Sequence, residues 1–319
     1  MVVTGNSAYA KYGYATAFGS AGARSNTFGK DVNVNSISLG NSQTPLAQLG
    51  SAEIQDFYYG KKVGSCTIDY TLSNPWVFSW IFGNRLGRGN DVEKTGGNPN
   101  TYVWNSGKKT AQLGSLEFGI DDSSNIVRVV PSAICRSMSL KASVGDSITV
   151  SQQFDWGNEG TPSTSFSASS SEGTTTYVPY EFTHSTFSVG GTAQQKIQSF
   201  DLSITPNHEL IYGLGRHDSV DAYRKLIDIT GKVNVVYENA DLLNKVHDAF
   251  GTSNSSRYSN ISLNMDQGSN RSILLTLSDV GLSQHNTPSI APGEPIFQEY
   301  DFQARTMTVT AKTPDNTLR

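Results

Sequence analysis

From Val63 to Tyr70 the chain alternates: Cys66, Ile68 and Tyr70 are apolar and the residues between them polar. A period of two puts one face of a strand on a core and the other toward solvent or a partner. The pattern returns at Thr230-Gly231-Lys232-Val233-Asn234-Val235-Val236-Tyr237, where Val233, Val235 and Tyr237 alternate with polar positions apart from Val236. Gly64 aligns with Gly231 and Tyr70 with Tyr237, both at an offset of 167 (231 − 64 and 237 − 70).

Each strand runs into a short predicted helix. Asn74-Pro75 sets a capping residue before a proline whose missing N–H costs nothing at a first helical position. In the second copy Asn239 or Asp241 can cap, and Leu242, Leu243, Val246 and Phe250 share one helical face, matched by Phe78 and Phe82 at an offset of 168. Both helices close on Phe-Gly, at Phe82-Gly83 and Phe250-Gly251, where glycine tolerates a positive φ. Beyond the helix, Ser115–Phe118 matches Ser262–Met265 and Ile126–Val130 matches Ile273–Leu277, both at 147. The copies end on Phe154-Asp155-Trp156 and Tyr300-Asp301-Phe302, and upstream Leu49-Gly50 pairs with Leu214-Gly215. Residues 37–156 thus repeat as 200–302.

The offset falls by 21 (168 − 147), so the first copy carries an insert of about that length within Asn84–Gly114. It is rich in Gly and Asn with charges of both signs, and reads as a surface loop or hairpin. Thr161–Ser171 holds six serines and reads as a linker. Tyr177–Phe187 opens the second copy with aromatics, as Tyr9, Tyr12 and Tyr14 open the first. The expected architecture is mainly β: two tandem sandwich or barrel domains, 1–160 and 161–319, each flanked by one short helix.

Composition narrows the function. Charged residues make up 16% of 319, with 30 Gly, which suits many short strands joined by turns. The net charge of −4 offers no basic surface for gripping nucleic acid, yet does not exclude a protein that nucleic acid slides past. Two cysteines, Cys66 and Cys135, are too few for a disulfide scaffold. No basic segment followed by an apolar run opens the chain, and its longest apolar stretch, near Trp76–Phe82, falls far short of the ~20 residues that span a bilayer. A soluble protein made in the cytosol is expected.

No catalytic constellation emerges. The histidines at 184, 208, 217, 247 and 285 form no metal-ligand pair, and His247 reads as a solvated helix residue. Asp121-Asp122 lacks the glycine and glutamate of a calcium loop, and Gly213-Leu214-Gly215 lacks the lysine and helix of a phosphate loop; both read as turns. The Asn-x-Ser sequons at Asn254, Asn260 and Asn270 read as chance matches without a secretory signal. Trp76, Phe78, Trp80 and Phe82 could form a carbohydrate platform, but their match to Leu242, Val246 and Phe250 favours core packing. Arg85, Arg88, Lys94, Lys108 and Lys109 are interleaved with Asp91 and Glu93, which favours an assembly loop or plain solvation over a nucleic-acid patch. No metal and no cofactor is expected.

A strand entered through glycine, an aromatic helix ending in Phe-Gly and a long loop after it resemble the tail tube (major tail) proteins of tailed viruses, as does the opening from Tyr9 to Gly19. The resemblance implies a non-enzymatic structural virion protein whose domains lend strands to a shared inner barrel. It implies rings stacked into the tail tube, assembled in the host cytoplasm, with DNA passing without specific binding. Partners would be copies of itself, tape measure and tail terminator proteins, and no membrane. A duplicated chain implies trimeric rings of pseudo-sixfold symmetry, and the Asn84–Gly114 loop would lie where rings meet. The alternative is a two-domain binding module of a virus particle: an adhesin, or a receptor-binding, baseplate or decoration component.

Overall fold

The computed structural model describes residues 8–15, 17–20, 22–47, 53–83, 92–107, 112–120, 126–164, 178–194, 196–237, 242–244, 259–286, 292–293 and 295–315. The first half contributes β1 (Ala8–Tyr14), β2 (Lys30–Ala47), β3 (Ile54–Thr71), the helix α1 (Val77–Phe82), β4 (Val92–Thr95), β5 (Asn100–Asn105), β6 (Gly114–Ile120), β7 (Ile126–Ser143) and β8 (Thr149–Trp156). The second contributes β9 (Ser185–Val189), β10 (Thr192–Ala193), β11 (Ile197–Thr205), β12 (His208–Tyr212), β13 (Ser219–Arg224), β14 (Asp228–Val236), β15 (Ser259–Asp266), β16 (Ser272–Asn286) and β17 (Phe297–Thr313).

Among the described residues fifteen strands form one antiparallel sheet: eleven run in the order β10-β9-β15-β16-β17-β14-β11-β7-β8-β3-β2, β1, β4, β5 and β6 branch from that path, and β12 and β13 form a separate ribbon. The long strands change partners along their length. Residues 126–133 of β7 pair with β6, which in turn pairs with β1, and residues 138–143 pair with β11. In the same way β17 pairs with β14 through Ala304 and with β5 from Thr308. Where the two branches part, the core fills the space between them. Trp80 of α1 touches Tyr12 of β1 on one side and Phe154 of β8 on the other, with ring centroids 5.7 and 4.8 Å apart. All six residues of α1 are buried, so the aromatic run is core. Asn74 accepts the Trp76 N–H at 3.1 Å, and Gly83 ends the helix at φ 110° with its N–H on the Ser79 carbonyl.

The repeat seen in the sequence returns as a repeat of pairing. In the first half Gly64 faces Trp156 on β8 and Leu39 on β2; in the second Gly231 faces Phe302 on β17 and Leu202 on β11. The glycines have one cause: a Cβ would meet the Trp156 indole 2.1 Å away at position 64 and the Phe302 ring 2.4 Å away at 231. Likewise β1 pairs with β6 as β9 pairs with β15. One pairing has slid: Leu116 faces Val130, but Leu263 faces Leu275 rather than Leu277. A slip of two residues keeps every side chain on its own face. Tyr237, aligned with buried Tyr70, is largely exposed; the hydrogen bond that Tyr70 makes to the buried Gln152 is made to Gln298 by Tyr300 instead.

The halves do not form separate sheets. They are joined where β11 pairs with β7, with Leu202 opposite Leu140 and Asp201 opposite Lys141. The insert also crosses the boundary. Its β4–β5 hairpin adds to β17, Val92, Tyr102 and Trp104 are fully buried, and the Asn100 amide and Tyr102 hydroxyl both donate to the Asp315 carbonyl. Of the second helix the structure describes only a turn at 242–244, with Leu242 buried; Val246, His247 and the Phe250-Gly251 stop lie outside the described residues, as do Leu49-Gly50 and Asp121-Asp122.

Substituting Gly64→Val or Gly231→Val forces a branched side chain into an aromatic ring. Each variant is expected to lose about 1–3 kcal/mol of stability, read from denaturant midpoints; wild-type midpoints for both would overturn this account of the paired glycines.

Candidate functional site

Three surfaces on the described residues stand out. Among the described residues no group of three or more His, Cys, Asp or Glu could hold a metal ion. Both thiols are buried, and burial pushes Cys66 up to about 12.

The first surface is an edge. β2 is 18 residues long and, among the described residues, pairs only with β3, so its other side is that of an edge strand. Its counterpart β11 has both sides paired, to β14 and β7. Leu39 and Leu202 occupy matching places opposite the two glycines, and the difference is plain: Leu202 is 1% exposed and Leu39 is 46% exposed.

The second surface is the polar face of the run β16-β17-β14-β11-β7-β8-β3. The alternation along β3, β8, β11 and β17 puts Cys66, Ile68, Phe154, Leu202 and Tyr300 in the core. On the opposite face stand Ser65, Thr67, Ser151, Gln153, Ser139, Ser203, Thr230 and Gln303, with charges set among them. Lys141, Asp201, Lys232 and Asp301 lie in register across β7, β11, β14 and β17, so charge alternates in sign across the junction of the halves. Lys232 Nζ stands 2.8 Å from Glu299 and 3.2 Å from Asp301, which hold its ammonium above the usual lysine range. Arg136 stands 3.2 Å from Asp155, offsetting the burial that pushes the Asp155 carboxyl up. The face is hydroxyl-rich, and its cations sit beside carboxylates.

The third surface is a pair of hairpin arms. The β12–β13 ribbon lies across the first half. The His208 Nδ1–H donates to the Cys135 carbonyl at 2.8 Å, the Tyr212 hydroxyl to the Lys62 carbonyl at 2.8 Å, and the Ser219 N–H to the Gly157 carbonyl at 3.0 Å. Arg224 reaches the carbonyls of Ile81 and Ser106, and Asp218 pairs with Lys62 at 2.8 Å. The matching outer part of β2–β3 carries Leu46, Ile54, Phe57, Tyr58 and Tyr59 exposed. Sequence reasoning named none of these residues. The signal was present as exposed-type aromatics, Phe57-Tyr58-Tyr59, inside a strand-like run.

Of the assembly-loop residues, Glu93 is exposed on β4, and Lys94 lies with its ammonium 5.5 Å from the centre of the Tyr102 ring. Arg85, Arg88, Asp91, Lys108 and Lys109 lie outside the described residues. Gly213 and Leu214 sit in the turn joining β12 and β13, with Leu214 fully exposed.

The family model described as phage tail tube protein covers residues 5–304. No curated protein matches the chain.

His208 supplies a pH test of the seated arm. Its Nε2 is buried without a hydrogen bond, and burial, helped by nearby Arg224, lowers its pKa from 6.5 to about 4. The unfolded chain therefore takes up this proton first, so stability from neutral His208 is complete above pH 6.5 and is lost as pH falls towards about 4. Replacing it by the residue at the matching place on the first arm, His208→Gln, is expected to shrink the loss of Tm between pH 7 and pH 4.5. An unchanged loss would count against the seated histidine.

Proposed function

The chain belongs to the phage tail tube protein family; it is a non-enzymatic structural component of the virion tail that polymerises into a tube, and we propose that its two halves are two tube domains forming neighbouring wedges of one ring. Three chains then give a ring of pseudo-sixfold symmetry, and stacked rings give the tube through which the genome leaves.

The observation that carries this reading is the contrast between β11 and β2. Within the chain β11 pairs with β7, and β2 presents the same kind of strand with no second partner among the described residues. Pairing β2 with the second half of a neighbouring chain would bury Leu39 as Leu202 is buried and would extend the sheet until it closes. A closed sheet has no edges left, which ends lateral growth. Head-to-tail stacking is a heterologous contact and continues until something caps it.

In this arrangement the polar face lines the lumen. Hydroxyls and carboxylate-paired cations give phosphate groups little to hold, because tight binding requires cations free to displace counterions. DNA would pass without specific contacts. The β4–β5 hairpin, present once among the described residues, breaks the sixfold repeat to threefold, and the Asn84–Gly114 segment around Glu93 and Lys94 serves contacts between rings. Tape measure and tail terminator proteins are the further partners this role requires, with assembly in the host cytoplasm.

Purified protein is expected to form tubes of uniform width under negative stain. The smallest ring should weigh three chains of 34.5 kDa, about 104 kDa (3 × 34.5) by native mass measurement. A ring of six chains would sink the two-wedge reading. Leu39→Lys on the open edge is expected to block assembly while leaving monomer stability within about 0.5 kcal/mol; tubes formed as readily as wild type would exclude β2 from the contact.

A further inference from the structure

The β12–β13 ribbon and the outer part of the β2–β3 hairpin are one object built twice. At an offset of 165, the pair His208–Arg224 lands on Gln43–Tyr59 and Ile211–Asp221 on Leu46–Asp56 (208 − 43, 224 − 59, 211 − 46, 221 − 56). The register slips at the same step, after Ile211 in one and after Leu46 in the other. Even the local turn chemistry agrees: the Ala222 N–H donates to Asp221 Oδ1 at 2.8 Å and the Phe57 N–H to Asp56 Oδ1 at 2.7 Å.

One arm is seated and the other is bare. Ser219, on the seated arm, is 4% exposed against Gly157. On the face of the first arm that matches the seated one, Ile54, Phe57 and Tyr59 are 55%, 44% and 47% exposed. They stand where Ser219, Ala222 and Arg224 stand on the seated arm, so this strand of the bare face carries more apolar bulk than its seated counterpart. The change has a physical reason. A tethered arm meets its seat at high effective concentration and needs little affinity of its own. An arm that docks on a separate molecule must overcome lost translational and rotational freedom, which burial of apolar area offsets. Arg224 also depends on the Ser106 carbonyl, just past the β4–β5 hairpin in the insert that the second half lacks, so an arginine at position 59 would find no such acceptor.

We infer that the outer β2–β3 arm seats on the second half of another copy of this chain, on β17 at the end of the polar face, around Gln303, where the pairing with β14 stops. Gln303 matches Gly157 at 146 (303 − 157), the offset that carries Trp156 onto Phe302 (302 − 156), and it is exposed. The inference rests on the tube reading and adds to it the side chains of one contact between chains.

The test is a paired cysteine substitution, Ile54→Cys with Gln303→Cys, in the full chain; native Cys66 and Cys135 are buried and do not compete. Mild oxidation of assembled protein is expected to link chains to one another, in a ladder that stops at the number of chains in the ring, while either single variant gives none. Rings of the double variant that remain monomeric on a non-reducing gel would overturn the seat but leave the tube reading intact. Wild-type protein that never assembles would overturn both. As an independent measure, Phe57→Ser with Tyr59→Ser is expected to raise the concentration for half-assembly by about tenfold or more, with the monomer melting as wild type. An unchanged assembly concentration would likewise reject the arm contact.

Discussion

A strand at the edge of a sheet cannot be left alone, because its N–H and C=O groups invite another strand. This chain solves the problem within itself where β11 pairs with β7, and among the described residues leaves it open at β2. Much of the molecule serves that asymmetry. The long strands β7 and β17 exchange partners midway, so one end holds the core around α1 while the other holds the run of strands that crosses from half to half. The row of alternating charge from Lys141 to Asp301 follows the same crossing, so the two halves agree in electrostatics as well as in hydrogen bonding.

Two halves of similar pairing within one polypeptide need not stay alike. A position that meets its neighbour inside the chain can become polar, as Ser219 and Arg224 have, because the tether supplies the proximity. The matching position that faces outward keeps or gains apolar bulk, as Ile54 and Tyr59 do. The insert shows another use of the same freedom. Its hairpin bolts the first half to the C-terminal part of β17, with Trp104 and Tyr102 buried at the joint. Only one such bolt exists per chain among the described residues, which marks the halves as different parts despite their common plan.

Local chemistry made several features readable before any fold was known. Gly64 and Gly231 were matched as letters, and each proves to lie under an aromatic ring of the opposite strand, so the residues Trp156 and Phe302 were constrained together with them. The aromatic run Trp76–Phe82 was assigned to the core from the apolar face of its counterpart, and it is buried. The assembly loop was less readable. Charges of both signs with many glycines suggested a surface segment, yet Val92, Tyr102 and Trp104 alternate through β4 and β5 into the core. That alternation is written in the same stretch, but its partner, β17, is some 200 residues away and exerts no local signal.

The sequence by itself determined the strand faces, the helix stop at Gly83 and the fact of the repeat, because period-two burial and steric room at glycine are properties of neighbouring residues. Only the tertiary structure decided which edges met: that the halves share one sheet through β7 and β11, that one hairpin arm found a seat and the other did not, and that Leu39 was left in the open while Leu202 was covered. Backbone hydrogen bonds between strands are blind to side-chain identity, so pairing over long distances leaves almost no trace in the order of the residues, and it becomes visible only when the strands lie side by side.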